Sequence, residues 1–299
     1  MSGQQYVHDP VMVKEILVAL NLKPGDVVVD GTLGLAGHMM HFIEAIRPGG
    51  VAVGFDWDES MLAIARDRIG SPQGITVHLI HKDFRDMHAS LQDLELKPNG
   101  ILLDLGLNSA QIADPSRGIT FLEDGVLDMR MDRSTGEPAS ALLNRMSPQM
   151  IEDALLEYGD ERWARAIAKV IVQRRKETPL RTTNDLVECV LAAIPVRARE
   201  KRIHPATRTF QAVRILTNRE LDGLKEALED AAASLAIGGT LAVLSYHSGE
   251  DRIVKHTFAA LAQDGFTNMT KKPMEPGDDE VRKNSRSRSA KLRIIRKNS

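Results

Sequence analysis

Short apolar runs alternate with helical stretches along the first hundred residues, which is the pattern of a parallel α/β fold. Apolar runs at residues 27–29, 51–55, 75–80 and 101–105 predict four buried strands. Helical spacing at residues 38–46 and 59–69 predicts helices between the first three strands. We therefore expect a doubly wound α/β sheet in this part of the chain.

A purely helical pattern replaces the alternation after residue 107 and is clearest at residues 148–194. Ser147 followed by Pro148 is typical of a helix start. Asp160 is expected to open the next helix, and Thr183 a third. The economical architecture is a sheet interrupted by an all-helical insert. We predict a discontinuous sheet domain at residues 1–111 and 211–299, with the insert at residues 112–210.

The last third of the chain returns to the sheet pattern. Beyond Arg208, one long helical pattern runs to Ala236 and leads to a fifth strand at residues 240–244. Two more strands, at residues 265–270 and 291–295, are predicted to form a closing hairpin. The segment between them is rich in Pro, Gly, Ser and charge, so residues 271–289 are predicted to be a long loop.

Composition and length are those of a globular protein. The chain has 299 residues, of which 42% are hydrophobic and 27% charged, and can bury a sizeable core. Cys189 is the single cysteine, which excludes an internal disulfide and a multi-cysteine zinc site. The N-terminal residues lack a secretory pattern, and no apolar run is long enough to span a bilayer. We expect a cytoplasmic protein that does not enter a membrane.

Two basic regions stand out on a chain whose formal net charge is only −2. Residues 162–219 hold 14 Lys and Arg against four Asp and Glu, a balance of +10. Residues 281–299 hold eight Lys and Arg and no acid. The rest of the chain is therefore strongly acidic. This asymmetry indicates a polyanionic partner at a defined surface, although solvated helix faces and a basic tail would give the same pattern.

A glycine-rich turn follows the first predicted strand directly and precedes a helix, in the sequence DGTLGLAGH at residues 30–38. Ligands bind at this place in open α/β sheets. Glycine also lets the backbone approach a ligand closely. The spacing is G-x-x-G-x-x-G, which differs from the G-x-G-x-x-G of dinucleotide-binding folds. The turn alone therefore leaves open whether it binds a cofactor or is only a tight turn.

Acidic residues end four consecutive predicted strands: Asp30, Asp56, Asp83 and Asp104. Asp56 can accept hydrogen bonds from ribose hydroxyls, and Asp83 with Phe84 can hold the edge and face of an adenine. Each acid alone is also a common helix cap. Together they predict a negative pocket, which repels a pyrophosphate and attracts a sulfonium cation with a free amino group. The pattern therefore favours S-adenosylmethionine over NAD.

Seven sequence blocks carry a resemblance to a known family. They are VHDPVMVKEIL near the start, DGTLGLAGH, GILLDLGLNSAQ at 100–111, RGITFLEDGVLDMRMD at 117–132, HPATRTFQAVRILTNREL at 204–221, SYHSGEDRIVK at 245–255 and NSRSRSAKLRI at 284–294. In this order they resemble the ribosomal RNA small subunit methyltransferase H (MraW) family. The blocks extend from the first ten residues to the last ten, so the resemblance covers the whole chain.

The resemblance implies a class I, Rossmann-like methyltransferase sheet with an inserted helical substrate-recognition domain. It implies methylation of N4 of a cytidine in the decoding region of 16S rRNA, with S-adenosylmethionine as cofactor and the small ribosomal subunit as partner. The cofactor contacts that the resemblance implies fall on Ala36, Gly37, His38, Asp56, Phe84, Asp104 and Gln111.

The sequence departs from the family pattern at several positions. Ala36 stands where a second glycine is usual, Gly249 where a leucine is usual and Ser285 where a proline is usual. Residues 107–110 read LNSA in place of the usual Val-Ser-Ser-Pro run. This last change matters most, because the loop is expected to border the target base.

Candidates for the chemistry and for RNA contact follow from these blocks. A hydrogen-bond acceptor near N4 would help its delocalised lone pair to react, and we hypothesise that Asn108 supplies it, with Asp128 as a second candidate. The alternative for Asp128, which we favour, is an ion pair with a neighbouring arginine that fixes a loop. Candidate phosphate contacts are Arg208, Arg214, Arg286 and Arg288. Histidine spacing gives no metal motif, so no metal is expected.

Other functions stay open at this stage. A related methyltransferase could act on DNA or on another RNA amino group, given the altered 107–110 loop. A non-catalytic ribosome assembly factor could have kept the fold, although Asp56 and Asp104 argue against that. A nicotinamide-dependent dehydrogenase is the weakest alternative because the glycine spacing is wrong. The sequence leaves the oligomeric state open between monomer and homodimer.

Overall fold

A seven-stranded sheet runs through the protein in the strand order β3-β2-β1-β4-β5-β7-β6. The computed structural model describes residues 9–107, 111–112, 114–200 and 203–298. The strands are β1 (Val27–Asp30), β2 (Val51–Asp56), β3 (Thr76–His81), β4 (Gly100–Asp104), β5 (Thr240–Ser245), β6 (Phe266–Asn268) and β7 (Lys291–Lys297). Strands β1 to β5 pair in parallel, and β7 pairs antiparallel with both β5 and β6.

Twelve α-helices are assigned in the described residues. They are α1 (Val13–Leu20), α2 (Gly37–Ile46), α3 (Glu59–Ile69), α4 (Met87–Asp93), α5 (Ala139–Arg145), α6 (Pro148–Gly159), α7 (Ala164–Glu177), α8 (Thr183–Ala193), α9 (Thr207–Asn218), α10 (Leu224–Ser234), α11 (Ser248–Leu261) and α12 (Asp278–Lys283). Short 3₁₀ helices lie at Phe84–Asp86, Pro115–Arg117, Val196–Ala198 and Ser285–Ser289. None of the helices in these residues is both long and apolar enough to cross a membrane.

The contacts between residues divide the chain into two compact units. The first unit holds the sheet and comprises the described residues up to Gly106 and from Asp222 onward. The second unit runs from Leu107 to Leu221 and is helical. Each unit has a hydrophobic core of its own, with Phe42, Ile43 and Leu102 buried in the first. Leu127, Ile167 and Val190 are buried in the second.

Local sequence signals explain where most elements begin. Asp58 caps α3 by accepting from the backbone N–H of Ser60 at 3.0 Å. Ser147 caps α6 in the same way through Met150. Thr182 and Asp185 form a reciprocal capping box at the start of α8. Strand β5 is buried along its whole length, as the unbroken apolar run predicts for a central strand.

The doubly wound α/β sheet with a helical insert is confirmed, and the strands lie within two residues of their predicted positions at each end. Three element predictions were wrong. Asp160 does not open a helix; it follows α6 in a left-handed conformation with φ 48°, and α7 begins only at Ala164. The long helix predicted beyond Arg208 is two helices, α9 and α10, because Arg219 (φ 50°) and Gly223 (φ 67°) interrupt it.

The predicted loop at residues 271–289 is also partly helical, because it contains α12 and a 3₁₀ helix. Acidic residues in the first turn of α12 and basic residues in the last favour that short helix through its dipole. The predicted end of the insert at residue 210 falls inside α9, and the second unit continues to Leu221. A helix boundary, and not a change in hydrophobic pattern, separates the units there.

Candidate functional site

The carboxyl ends of β1 and β4 mark the point where the strand order of the sheet reverses, which is where open α/β sheets bind ligands. Asp30 ends β1 and is buried, with 2% of its surface exposed. Asp104 ends β4 and is half-buried. Thr32 links the two, because its hydroxyl oxygen accepts from the backbone N–H of Asp104 at 2.7 Å. Its own backbone N–H donates to Asp30 at 3.1 Å.

The glycine-rich turn connects β1 to α2 beside these acids. Gly31 has no room for a side chain, since a Cβ there would lie 2.4 Å from Leu103. Ala36 adopts a left-handed conformation (φ 59°), which favours glycine and explains why a glycine would suit this position. Gly37 begins α2 and packs against Pro10, whose Cβ lies 3.2 Å from the position of a Cβ on Gly37. The turn is therefore tightly packed on its protein side.

Asp56 ends β2 and holds the glycine-rich turn in place. One carboxylate oxygen accepts from the backbone N–H of Gly34 at 2.8 Å. The other accepts from the backbone N–H of Asp58 at 2.9 Å. Each carboxylate oxygen can accept a second hydrogen bond, so the side chain keeps acceptor capacity for hydroxyl groups of a ligand. The same carboxylate that would bind a ribose thus also shapes the turn beside it.

Two polar side chains of the first unit, Tyr246 and His38, lie beside the carboxylate of Asp104. The phenolic O–H of Tyr246, one residue past β5, donates to its Oδ1 at 2.8 Å. The Nε2 atom of His38, near the start of α2, lies 3.6 Å from its Oδ2. The structure therefore brings His38 and Asp104 together as the predicted site requires. Tyr246 and Thr32 were missed, although Tyr246 follows a strand end just as the predicted acids do.

Phe84 lies beside the glycine-rich turn, because its Cβ is 3.3 Å from the position of a Cβ on Gly31. Asp83 caps the 3₁₀ helix that follows, accepting from the backbone N–H of Arg85 at 2.9 Å. It also pairs with the Arg85 guanidinium at 2.7 Å. The Cβ of Phe84 thus lies next to the turn, and the guanidinium carbon of Arg85 lies 5.3 Å from the centroid of the Phe84 ring. The Asp83 carboxylate thus caps a helix, which was the alternative to its proposed contact with adenine.

Burial raises the pKa of all three acids at the ends of β1, β2 and β4. Burial and the neighbouring carboxylates of Asp104 and Asp56 raise the pKa of Asp30 to about 7, against the effect of the hydrogen bond from Thr32. Burial raises the pKa of Asp104 to about 7, although the hydrogen bond from Tyr246 lowers it. Burial raises the pKa of Asp56 to about 6, partly offset by hydrogen bonds from Asp58 and Gly34. A cation bound among these groups would stabilise their ionised forms.

The chemistry of these groups fits the zwitterionic methionine part and the nucleoside part of S-adenosylmethionine. The first turn of α2 presents backbone N–H groups that the helix itself does not use, which suits a carboxylate. Carboxylates at the ends of β1 and β4 suit an ammonium group and a sulfonium. Asp56 suits ribose hydroxyls, and Phe84 suits an adenine face. Donors and acceptors are therefore both present for this cofactor.

Other predicted residues lie in the second unit. Gln111 is buried there, with 3% of its surface exposed. Asp128 accepts a bidentate pair from Arg130, at 2.7 Å from Nε and 3.1 Å from Nη2. Burial alone would raise the pKa of Asp128, but the hydrogen bonds from Arg130 hold it below its usual value. Asp128 thus has the loop-fixing role of the alternative interpretation. Asn108 lies outside the described residues.

The four candidate phosphate contacts divide into two kinds. Arg214 is largely buried and makes a bidentate ion pair with Glu220 at 2.8 Å, which argues for a structural role. Arg208 is more exposed and pairs with Glu200. Arg286 and Arg288 are exposed on the 3₁₀ helix that precedes β7. Three of the four therefore keep surface that a polyanion can reach.

Comparisons with known proteins show the family of this chain. Residues 5–298 match the model of the MraW methylase family. A ribosomal RNA small subunit methyltransferase H from Geobacter sp. (strain M21) is 43% identical over 98% of this chain and 99% of its own. A protein of the same name from Pelobacter propionicus is 42% identical over 99% of this chain and 100% of its own. Because the match spans nearly the whole chain at this identity, this chain belongs to the MraW methylase family.

Proposed function

We propose that this protein methylates N4 of a cytidine in the decoding region of 16S rRNA. As a member of a methylase family it is a methyltransferase, and S-adenosylmethionine is its methyl donor. The proposal of a ribosomal RNA substrate is supported by the names of its relatives, which are ribosomal RNA small subunit methyltransferases. The observation that supports the binding of the methyl donor is the set of strand-end carboxylates: Asp30 and Asp104 at the reversal of the strand order, and Asp56 at the end of the neighbouring β2.

The reaction is an in-line displacement, for which positioning supplies much of the acceleration. S-adenosylmethionine supplies an electrophilic methyl group on a positively charged sulfur. The cytidine N4 lone pair forms the new bond to carbon as the carbon–sulfur bond breaks, and N4 loses one proton. Asp104, steadied by Tyr246 and lying near His38, is placed to bind and orient the positively charged part of the donor.

The lone pair of N4 is delocalised into the ring until an N4 proton starts to leave. The reaction therefore needs an acceptor for that proton. Asp128 is committed to Arg130. We therefore keep Asn108, or a backbone carbonyl near it, as the proposed acceptor. The cytidine must also leave its stack to be reached, which favours an unpaired or flexible region of RNA. The second unit is proposed to be the substrate-recognition domain, and a ribosomal substrate would place the reaction in the cytoplasm.

Nucleoside mass spectrometry tests this function directly. We expect N4-methylated cytidine at one position of 16S rRNA in cells that hold the protein, and its loss when the gene is deleted. Purified protein should then restore the mark on small subunits from the deleted strain, with S-adenosylmethionine as the only added donor. Asp56→Asn is the matched inactive control, because it keeps the size of the side chain and removes its charge.

The outcomes separate the alternative functions. An unchanged N4-methylcytidine content after deletion would contradict the proposal. Methyl transfer to duplex DNA but not to 16S rRNA would support a related enzyme with a shifted target. Association with small subunits without any methyl transfer would support a non-catalytic assembly factor.

A further inference from the structure

A narrow groove lies on the surface of the second unit, between the segment before α7 and the start of α9. We call it the arginine groove, and its lining includes Arg162, Trp163, Glu200, Ile203, His204 and Arg208. Its enclosed part measures about 20 Å³, which admits a water molecule. Small-molecule sites measure roughly 300–1,000 Å³. The groove therefore suits a group projecting from a larger ligand that lies across the surface.

One carboxylate oxygen in the arginine groove lies between two guanidinium groups. Oε1 of Glu200 is 2.8 Å from Nη1 of Arg208 and 3.6 Å from Nη2 of Arg162. The side chain of Glu200 is 36% exposed, that of Arg208 34% and that of Arg162 60%. Ion pairs this exposed contribute little to the stability of a protein, so an outside anion can compete with Glu200 for the two arginines. A phosphate oxygen would make the same contacts with both arginines.

An aromatic ring adjoins this pair of arginines. His204 is exposed, and its ring stacks on Phe121 with centroids 4.7 Å apart and planes inclined at 29°. The backbone N–H of Ala206 donates to its Nδ1 at 3.2 Å, which fixes the orientation of the ring. Unpaired RNA bases stack on aromatic rings that are held in this way. Proteins that bind single-stranded RNA combine basic side chains, which contact the phosphates, with aromatic rings, on which the bases stack.

Trp163 gives the groove a polar group and an optical probe. Its indole Nε1–H is buried and has no hydrogen-bond partner among the described residues. A buried donor without a partner destabilises a protein, so an acceptor brought by a ligand would stabilise the complex. Trp57 is the other of the two tryptophans in the chain. A Trp57→Phe background therefore leaves Trp163 as the single tryptophan reporter of the groove.

We propose that a phosphate of an unpaired RNA strand binds between Arg162 and Arg208 and displaces Glu200, while a base of the same strand stacks on His204. The net charge of +10 over residues 162–219 favours a polyanion on this unit. The inference rests on the proposed function, because it takes RNA as the occupant of the groove. Glu200 then acts as an internal competitor that keeps the arginines paired until RNA arrives.

The test uses the full-length protein and a single-stranded RNA oligonucleotide of about ten nucleotides, the length that one such surface covers. Fluorescence polarisation measures affinity, and Trp163 emission in the Trp57→Phe background reports on the groove. Arg162→Gln with Arg208→Gln should weaken binding about tenfold or more. It should also reduce the slope of log K against log salt by about 0.7, the value for the one phosphate that the variant no longer neutralises. Glu200→Gln should tighten binding several-fold.

Two matched variants control for charge. Glu188→Gln removes an acid of the same unit that pairs with Arg174, and should tighten binding less than Glu200→Gln does. Arg145→Gln removes an exposed arginine that pairs with Glu137, and should weaken binding less than the single variant Arg208→Gln, which is measured alongside the double variant. Circular dichroism verifies that each variant is folded. The proposal is overturned if each variant behaves like its control, if RNA leaves Trp163 emission unchanged, or if a polyglutamate peptide binds as tightly as the RNA.

The groove and the proposed function fail in different ways. If the wild-type protein methylates 16S rRNA while the groove variants bind and methylate RNA as well as the wild type does, the groove proposal is wrong and the function stands. If RNA binds the groove as described but no methyl group reaches 16S rRNA, the groove stands and the function is wrong.

Discussion

The hydrogen bond from Tyr246 to Asp104 joins the end of β5 to the end of β4, directly where the methyl donor is expected to bind. Burial, together with the charge of Asp104, raises the pKa of Tyr246 well above its usual value, so the phenol stays protonated and remains a donor. Because burial holds the pKa of Asp104 near 7, the ionised fraction of this carboxylate changes around neutral pH. The hydrogen bond from Tyr246 opposes this effect of burial and favours the ionised carboxylate, so we propose that Tyr246 is a positioning residue for Asp104.

Tyr246→Phe tests this role through the pH dependence of cofactor binding. A cation binds to the ionised carboxylate, so affinity for S-adenosylmethionine should rise as pH increases through about 7, the pKa of Asp104. Removing the phenol removes a hydrogen bond that lowers this pKa, so the midpoint should move to higher pH. Calorimetry between about pH 5 and pH 9 measures it.

The matched control for this experiment is Tyr158→Phe, a tyrosine of the second unit. We expect it to keep the wild-type midpoint. If Tyr246→Phe shows the same midpoint as the wild type and loses affinity equally at every pH, Tyr246 does not set the ionisation of Asp104.

Residue-level prediction from sequence worked where a rule of geometry applied. Asp30, Asp56 and Asp104 were predictable because parallel strands end at one edge of a sheet and apolar runs locate those ends. Tyr246 was missed because the predicted β5 ended at residue 244, two residues before it, and because a tyrosine carries no charge that would mark it beside the strand-end acids. The left-handed backbone of Ala36 was not predictable either, since alanine rarely adopts it.

An ion pair joins α11 to β7 in the first unit. Arg293 is only 4% exposed and makes a bidentate contact with Asp251, at 2.7 Å from Nε and 3.2 Å from Nη2. Lys291 lies 3.6 Å from the same carboxylate. Burial would raise the pKa of Asp251, but the hydrogen bond and charge of Arg293 hold it below its usual value. The pair thus fixes the helix to the antiparallel edge of the sheet.

Asp251→Asn should destabilise the protein by about 3 kcal/mol, because it leaves the charge of Arg293 buried and uncompensated. Urea denaturation followed by circular dichroism measures the change in the free energy of unfolding. The depressed pKa means that the ion pair stabilises the fold above pH 3.8, the ordinary pKa of an aspartate, and is lost as pH falls through the lower folded value. The variant should lack this part of the acid destabilisation.

Glu137→Gln is the comparison for this element, since it removes an exposed pair with Arg145 and should change stability by less than about 1 kcal/mol. Equal effects of the two substitutions would show that burial of Arg293 does not matter to the strength of the pair.

Elements were easier to predict than the breaks between them. Capping signals at Ser147 and Thr182 are local, and the helices that they start were found within one residue. The break between α9 and α10 has no proline and depends on left-handed residues at Arg219 and Gly223, and the apolar spacing continues across it, so the sequence pattern predicted one helix. The short α12 was missed because its tertiary contacts stabilise it: the backbone N–H of Met12 donates to its Glu280 at 2.7 Å.

At the scale of the whole molecule, the two basic regions belong to different compact units. One is in the second unit, and the other ends the first unit, with Arg286 and Arg288 exposed on a 3₁₀ helix. Charge asymmetry along the sequence predicted both regions. It did not predict which arginines are already paired, such as Arg214 with Glu220, since ion pairing depends on tertiary structure.

Arg286→Gln with Arg288→Gln should weaken binding to 16S rRNA and reduce the salt dependence of that binding. Each phosphate of unpaired RNA that is no longer neutralised lowers the slope of log K against log salt by about 0.7, so two lower it by about 1.4. Filter binding at several salt concentrations measures the slope. Affinity for S-adenosylmethionine is measured alongside, and a wild-type slope in the double variant would remove these arginines from the RNA surface.

The pairing of β4 with β5 joins residues that are 140 positions apart, as Gly100 and Thr240 show. During synthesis, the edge of β4 that pairs with β5 therefore stays unpaired until the whole second unit has been synthesised. At a synthesis rate of about 5–20 residues per second, this interval lasts on the order of ten seconds. Over that time a nascent chain carries an apolar strand with unsatisfied backbone groups, a surface that invites pairing with other chains.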